Sequence, residues 1–324
     1  MEKMKLTLLY ADIKKDIDII ENELEKALNS SSHLLNDASL HLLQAGGKRI
    51  RPIFALLAAK FGDYNIERMK NIAVPLELIH MASLVHDDVI DDSDLRRGRR
   101  TVKAEWNNRV AMYTGDFIFA RALEYVTVIE NPRAHQILAR TMVEICNGEV
   151  IQIEDKFRLD QNLKDYFRRI KRKTALLIES SCELGAVVSG ADDKMIRHLK
   201  RYGYFVGMSF QIIDDILDFT ATDKQLGKPA GSDLLQGNVT LPILLMKDDP
   251  TLAPYLQKVI AEQLTEIERM EMLDIVRQSD AINEATKLSE LYLKKALAEV
   301  DALPKHPMKK KLRDIALFIG KRKY

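Results

Sequence analysis

The 324-residue chain carries 49 Lys and Arg against 48 Asp and Glu, a formal charge of +1, and 46% of its residues are hydrophobic. Near-neutral charge gives no electrostatic reason for a nucleic-acid or anionic-membrane partner, and the apolar content is too high for a disordered chain. Its 14 Gly and 9 Pro fall below the roughly 7% and 5% of average chains, which implies few turns and long elements, read as one domain over residues 1–324.

Apolar residues recur at three and four residue intervals with no sustained alternation, so the chain reads as all-α. Helices are expected over 7–29, 36–45, 51–61, 66–91, 103–130, 132–157, 162–189, 192–220 and 239–248, followed by three or four shorter ones. The opening MEKMKLTLLYADIKKD gains charge too early for a signal peptide. Gly46-Gly47 can supply the left-handed backbone that closes one helix, Asn131-Pro132 fits a break with Pro opening the next, and Asp192 fits an N-cap. Pro75 is expected to kink helix 66–91 or to mark its true start. Loops remain at 92–101 and 221–237, and the charge-rich helices after position 250 read as covering structure. Cys146 and Cys182 lack metal-ligand spacing and read as small buried side chains in a reducing compartment. The longest uncharged stretch, 202–213, is short of the ~20 residues a membrane span needs. No transmembrane segment is expected, and the chain reads as soluble and cytoplasmic.

Two acidic clusters carry the chemistry. The first is His86-Asp87-Asp88-Val89-Ile90-Asp91-Asp92, and the second is Asp214-Asp215-Ile216-Leu217-Asp218 within 210–219. In each, carboxylates at i and i+4 share one helix face, Asp87 with Asp91 and Asp214 with Asp218. Like charges stacked in apolar sequence are costly unless cations compensate. Paired hard oxygens suit magnesium, which takes one or two carboxylates together with substrate phosphate oxygens. One such cluster would equally suit a solvated helix end; two copies of DDxxD, each closing an apolar helix, point to a metal-bound polyphosphate held inside a bundle. A diphosphate also needs fixed cations, and the chain offers Gly47-Lys48-Arg49-Ile50-Arg51, Arg96-Arg97-Gly98, Lys173-Thr174 and Lys228. Taken singly, each of these basic groups reads equally well as exposed charge, and His80 reads as an ordinary helix residue or as a group on the aspartate face.

In combination, GGKRIRP at 46–52, HDDVIDD at 86–92, LRRG at 95–98, KT at 173–174, FQIIDDILDF at 210–219 and GKPAGSD at 227–233 resemble the trans-polyprenyl diphosphate synthase family, over essentially the whole chain. The resemblance implies an isoprenoid synthase-type helical bundle around a central cavity, and condensation of an allylic diphosphate, farnesyl diphosphate for preference, with isopentenyl diphosphate. It is strongest to the two-component branch of Gram-positive bacteria, which implies a seven-unit all-trans product for the menaquinone side chain. The same likeness implies a homodimer or a heteromer with a small companion chain. Carried over by motif, Lys48, Arg51, His80 and Arg97 would hold isopentenyl diphosphate. Arg96, Lys173, Thr174, Gln211 and Lys228 would hold the allylic diphosphate. Magnesium would sit on Asp87, Asp91 and Asp214, with Asp88, Asp215 and Asp218 in catalytic support. Some relatives carry Lys where this chain has Asn238, so Asn238 is given no phosphate role. Ala82 and Ser83, five and four residues before Asp87, are small where short-product relatives carry bulky aromatics, which implies an open tunnel and a longer product.

Two other readings share the scaffold. A terpene cyclase would carry an Asn/Asp, Ser/Thr, Glu metal triad in place of the second DDxxD, and Asp214, Asp215 and Asp218 argue against it. A non-catalytic regulatory subunit has no reason to keep both acidic motifs.

Overall fold

Capping side chains set half of the principal helix starts in the computed structural model, which describes residues 11–320. Positions 7–10 of the first expected helix, and the charged opening before them, lie outside the described residues. The first helices are α1 Lys14–Leu28, α2 His33–Gln44, α3 Ile50–Ala59 and α4 Ile66–Ile90. The Asn65 side chain accepts from Arg68 N to start α4. Next come α5 Asn108–Val126, opened by Asn107, and α6 Pro132–Glu154, opened by Asn131 with Pro at its first turn as expected. They are followed by α7 Leu163–Ile170, α8 Leu176–Val188 and α9 Asp193–Thr220, the last capped by Asp192, whose side chain accepts from Met195 N. The C-terminal third holds α10 Leu241–Met246, α11 Ala253–Ile260, α12 Glu266–Gln278, α13 Ala281–Ala302 and α14 Pro307–Gly320. The fold is all-α, and among the described residues no helix is long and apolar enough to cross a membrane.

Several elements differ from the expectation, each for a physical reason. Pro75 neither splits nor starts α4, because the residues around it, Ile72 to Ile79, are all buried and packing holds the turns on both sides. The expected 103–130 helix breaks at Trp106, where the Asn107 side chain accepts from Val110 N and starts a new helix. The 92–101 loop contains a small antiparallel hairpin, β1 Leu95–Arg96 with β2 Arg99–Arg100. Its turn is Arg97-Gly98, both at positive φ, the primed-turn geometry that matches strand twist. Between α7 and α8 the backbone widens into a π-helical turn, Lys171–Ala175. α9 can touch this turn because residue 207 is Gly: a Cβ there would stand 2.5 Å from Ala175 Cα.

α8 packs against α3, α4, α6 and α9. α9 is a shared spine: Leu199, Tyr202 and Val206 belong to one buried apolar cluster and Ile212 to Phe219 to a second. The region after 250 is more than covering structure. α13 lies along α9, burying a stripe of small residues, Ala281, Ala285, Ser289 and Ala296, with Leu293 and Val300. Cys182 is buried as expected, but Cys146 is exposed on the outer face of α6.

Candidate active site

The last turns of α4 bring His80, Ser83, Asp87 and Asp91 to one face, at three, four and four residue steps, all partly exposed. Asp88 points elsewhere. It is 2% exposed, and its Oδ1 accepts from Arg96 Nε at 2.9 Å and Nη2 at 2.7 Å. Asp91 Oδ1 lies 3.1 Å from Lys156 Nζ. Asp87 is raised above the usual carboxylate range, by burial first, with the Lys173 charge pulling it back and Asp91 pushing it up. Glu149 of α6 is pushed up to about 7, by burial first and then by the Asp87 charge.

The π-helical turn directs two neighbouring side chains to different walls. Lys173 Nζ donates to Gln152 Oε1 at 2.8 Å, toward α6, while Thr174 Oγ1 donates to Gln211 Oε1 at 2.5 Å, toward α9. An extra residue in one helical turn is a common way to re-aim side chains at functional sites. On α9, the three aspartates are not equivalent. Asp215 is 2% exposed and accepts from Tyr166 Oη at 2.6 Å and Gln211 Nε2 at 2.8 Å. Burial still carries it up to about 7, against the pull of those two bonds. Asp218, also 2% exposed, accepts from Ser232 Oγ and Asp233 N and pairs with Lys228 at 3.0 Å. It too is pushed up to about 7, by burial first, then Asp233. Asp214 is the partly exposed member of the motif. Lys228 is shared with Asp233 at 2.7 Å; burial lowers its affinity for a proton, but the two carboxylates outweigh that and raise it overall.

The basic wall forms where α3 begins. Arg49 adopts a left-handed backbone, φ 46°, and its buried guanidinium grips Glu21 at 2.6 and 3.0 Å and Glu77 at 3.2 Å. The missing side chain at Gly47 matters here, since a Cβ would stand 2.7 Å from Arg49 Nη1 and 3.1 Å from Arg97 Nη1. Arg51 is pushed down to about 10, by burial first, with Glu77 opposing and Arg97 assisting. Among the described residues its Nε has no hydrogen-bond partner, and neither does Glu77 Oε2. His80 is held well below its ordinary value, by burial first and then by the charges of Arg51, Arg97, Arg96 and Arg49, so its imidazole is neutral at pH 7. Lys48 is exposed at the edge of this group. An unpaired buried guanidinium nitrogen among four arginines is the mark of a site that expects an anion.

Thus the first acidic motif meets Lys173 and Arg96, and Arg51, His80 and Arg97 gather in a second group. Ala82 and Ser83 separate: Ser83 lies on the Asp87 face and donates to the His80 carbonyl, whereas Ala82 is 0% exposed within the apolar core. Sequence reasoning missed Glu77, Glu149, Gln152, Lys156 and Tyr166. Glu77 was detectable in principle, as a lone carboxylate inside the apolar run 72–79. Glu149 and Gln152, three apart on α6, gave only the weaker signal of a polar pair.

Among the described residues no three carboxylate, imidazole or thiolate side chains converge into a ready-made metal cage. The donor set still fits magnesium, because hard oxygens offered singly or in pairs leave coordination positions for water and for substrate phosphate.

An all-α bundle in which two acidic helix motifs stand beside separate basic groups belongs to the class of enzymes that handle diphosphates. A polyprenyl synthetase family model matches residues 32–276. The chain is 57% identical over 322 residues to heptaprenyl diphosphate synthase component 2 of Geobacillus stearothermophilus, covering 99% of this chain and 100% of that one. It is similar to the crystal structure of heptaprenyl diphosphate synthase from Staphylococcus aureus, with TM-score 0.89 and 46% identity over 96% and 98% of the two chains. It is also similar to a Caulobacter crescentus polyprenyl synthase complexed with calcium and isoprenyl diphosphate, with TM-score 0.93 and 32% identity over 98% of each chain. The chain belongs to the polyprenyl synthetase family. Its activity is prenyl transfer in isoprenoid synthesis.

Proposed function

We propose that the chain is the catalytic component of a two-component heptaprenyl diphosphate synthase, extending farnesyl diphosphate with isopentenyl diphosphate to the seven-unit all-trans product. The observation that carries this reading is the distribution of the cations: Lys173 acts on Asp87 of the first acidic motif, Arg51 and Arg97 gather around Glu77 and neutral His80, and Arg96, bonded to Asp88, acts on both groups. Two diphosphates are thereby given two sets of donors. Asp87, Asp91 and Asp214 would hold magnesium, which when bound stabilises charge on the leaving diphosphate. Asp88, Asp215 and Asp218 act from behind, fixing Arg96, Gln211 and Lys228 in place. Lys173, Thr174, Gln211, Arg96 and Lys228 would orient the allylic diphosphate so that its carbon–oxygen bond breaks toward them. The double bond of isopentenyl diphosphate, positioned by Lys48, Arg51, Arg97 and His80, then forms the new carbon–carbon bond, and a proton passes to the departed diphosphate. Apolar walls keep water from quenching the cation.

The relative's designation as component 2 implies a two-subunit enzyme, and this chain carries exposed apolar side chains that suit a partner: Met112, Tyr113 and Leu123 on α5, Val143, Val150 and Ile153 on α6. Incubation with farnesyl diphosphate, isopentenyl diphosphate and magnesium, with and without the small companion, followed by mass analysis, tests product and partner together. Heptaprenyl diphosphate only with the companion is expected; full-length product from the chain alone refutes the two-component part, and no elongation under either condition refutes the whole.

Product length gives a second test. A ring at Ser83 would enter the face that carries Asp87, one turn below it. Ser83→Phe is therefore expected to shift product to farnesyl or geranylgeranyl length while leaving the first condensation intact. Ala82→Phe must instead displace core neighbours, with about 1–3 kcal/mol of overpacking. An active Ser83→Phe enzyme with unchanged product lengths would place the tunnel on another face.

A further inference from the structure

We propose that Lys156 is an internal counter-cation of the first acidic motif, seated on Asp91 until a divalent metal displaces it, and that it thereby sets how tightly the enzyme takes up that metal. The inference rests on the reading of Asp91 as a metal ligand. Lys156 lies just past the end of α6, 65 positions from Asp91 in sequence, yet its Nζ is 3.1 Å from Asp91 Oδ1. The two side chains are 22% and 15% exposed, so the pair is only partly screened by water.

The segment that delivers this lysine is fixed. Phe157 adopts φ 60° and its N–H donates to the Gly237 carbonyl at 2.8 Å, tying the loop after α6 to the loop after the second acidic motif. Gln161, 0% exposed, donates to the carbonyls of Asp155 and Arg158 at 2.9 and 2.8 Å, and Arg169 in turn donates to Gln161. Arg158 Nη1 reaches Asp155 at 2.7 Å. The backbone is thus anchored on both sides of Lys156.

The second motif repeats the arrangement with a difference that tells. Lys228 also sits on the last aspartate of its motif, Asp218, but that carboxylate is 2% exposed and the lysine is shared with Asp233. Asp91, by contrast, lies on the face that carries Asp87. A magnesium ion at about 2.1 Å from the oxygen that Lys156 holds would stand roughly 4–5 Å from the ammonium, close enough in a half-buried site for the two like charges to repel strongly. Metal uptake at Asp91 therefore works against the Lys156 charge and drives the lysine off the carboxylate, and that repulsion, with the loss of the ion pair, is subtracted from metal affinity.

Manganese binding to the full chain without substrate, read as loss of the free-ion electron paramagnetic resonance signal, separates the possibilities. Lys156→Met is expected to bind manganese about three- to tenfold more tightly than the parent, and Lys156→Arg to stay near the parent. In metal-free buffer Lys156→Met should also melt at lower temperature, with a larger rise on adding manganese. Lys156→Gln serves if the methionine variant does not fold. Equal or weaker binding by the variant, or no binding by either chain, overturns the proposal. Asp91→Asn is the control for the underlying reading: if it leaves manganese affinity unchanged, the assignment of Asp91 as ligand fails first.

Discussion

Asp87→Ala and Asp214→Ala are each expected to lower prenyl transfer by about a thousandfold or more while leaving helical circular dichroism intact. Both carboxylates are partly exposed at the ends of long helices whose apolar faces are packed without them, so neither removal opens a core cavity. Asp87 sits where burial and Asp91 already raise its affinity for a proton, and replacing it relieves like-charge crowding with Asp91 and Glu149. The melting temperature of Asp87→Ala should therefore match or exceed the parent's. Asp215→Asn provides the contrast. Its carboxylate touches Tyr166 and Gln211 and orients the latter, so its loss should cost activity by about ten- to a hundredfold. Single-turnover rates at saturating magnesium decide the matter. A near-normal rate for either alanine variant would show that the two motifs do not act together on one metal-bound diphosphate.

Much of this arrangement is legible in the sequence, because its signals are local. Asp192, Asn131-Pro132 and the two DDxxD helices each declare themselves within a turn or two, through capping chemistry or i, i+4 spacing. What is hidden depends on contacts between distant segments. The π-helical turn at Lys171–Ala175, which carries Lys173 and Thr174, leaves no periodic signature. α13 reads as charged and peripheral because its buried stripe is built of alanine and serine, residues that carry little hydropathy but allow close approach to α9. Pro75 does not mark the start of α4, which runs unbroken through it with buried residues on both sides. The supporting groups, Tyr166 behind Asp215 and Lys156 on Asp91, lie 49 and 65 positions from the aspartates they serve. No spacing rule connects them.

The same dependence on distant contacts makes Glu77 the residue whose loss should most damage stability. Its side chain is buried at 2% exposure between the start of α3 and the hairpin, pairing with Arg49 and opposing the charges of Arg51 and Arg97. Glu21 also holds Arg49, but from a more exposed position, so Glu77 is the buried carboxylate that balances the group. Glu77→Ala leaves Arg51 and Arg97 without the buried carboxylate that opposes their charges and leaves Arg49 held by Glu21 alone. Breaking a buried pair from one side costs about 3–5 kcal/mol, far more than the pair contributes net, because the abandoned charge remains desolvated. Urea denaturation of Glu77→Ala is expected to show a loss of that size, with Glu77→Gln losing less because its amide oxygen still accepts from Arg49. The excess positive charge should also make the variant more dependent on an anion. Isopentenyl diphosphate, or inorganic diphosphate in its place, is expected to raise the melting temperature of Glu77→Ala by more than it raises that of the parent, since binding supplies the negative charge the substitution removed. A loss below about 1 kcal/mol, or equal stabilisation of both chains by diphosphate, would mean that Glu77 neither holds the arginines nor tunes the pocket they form.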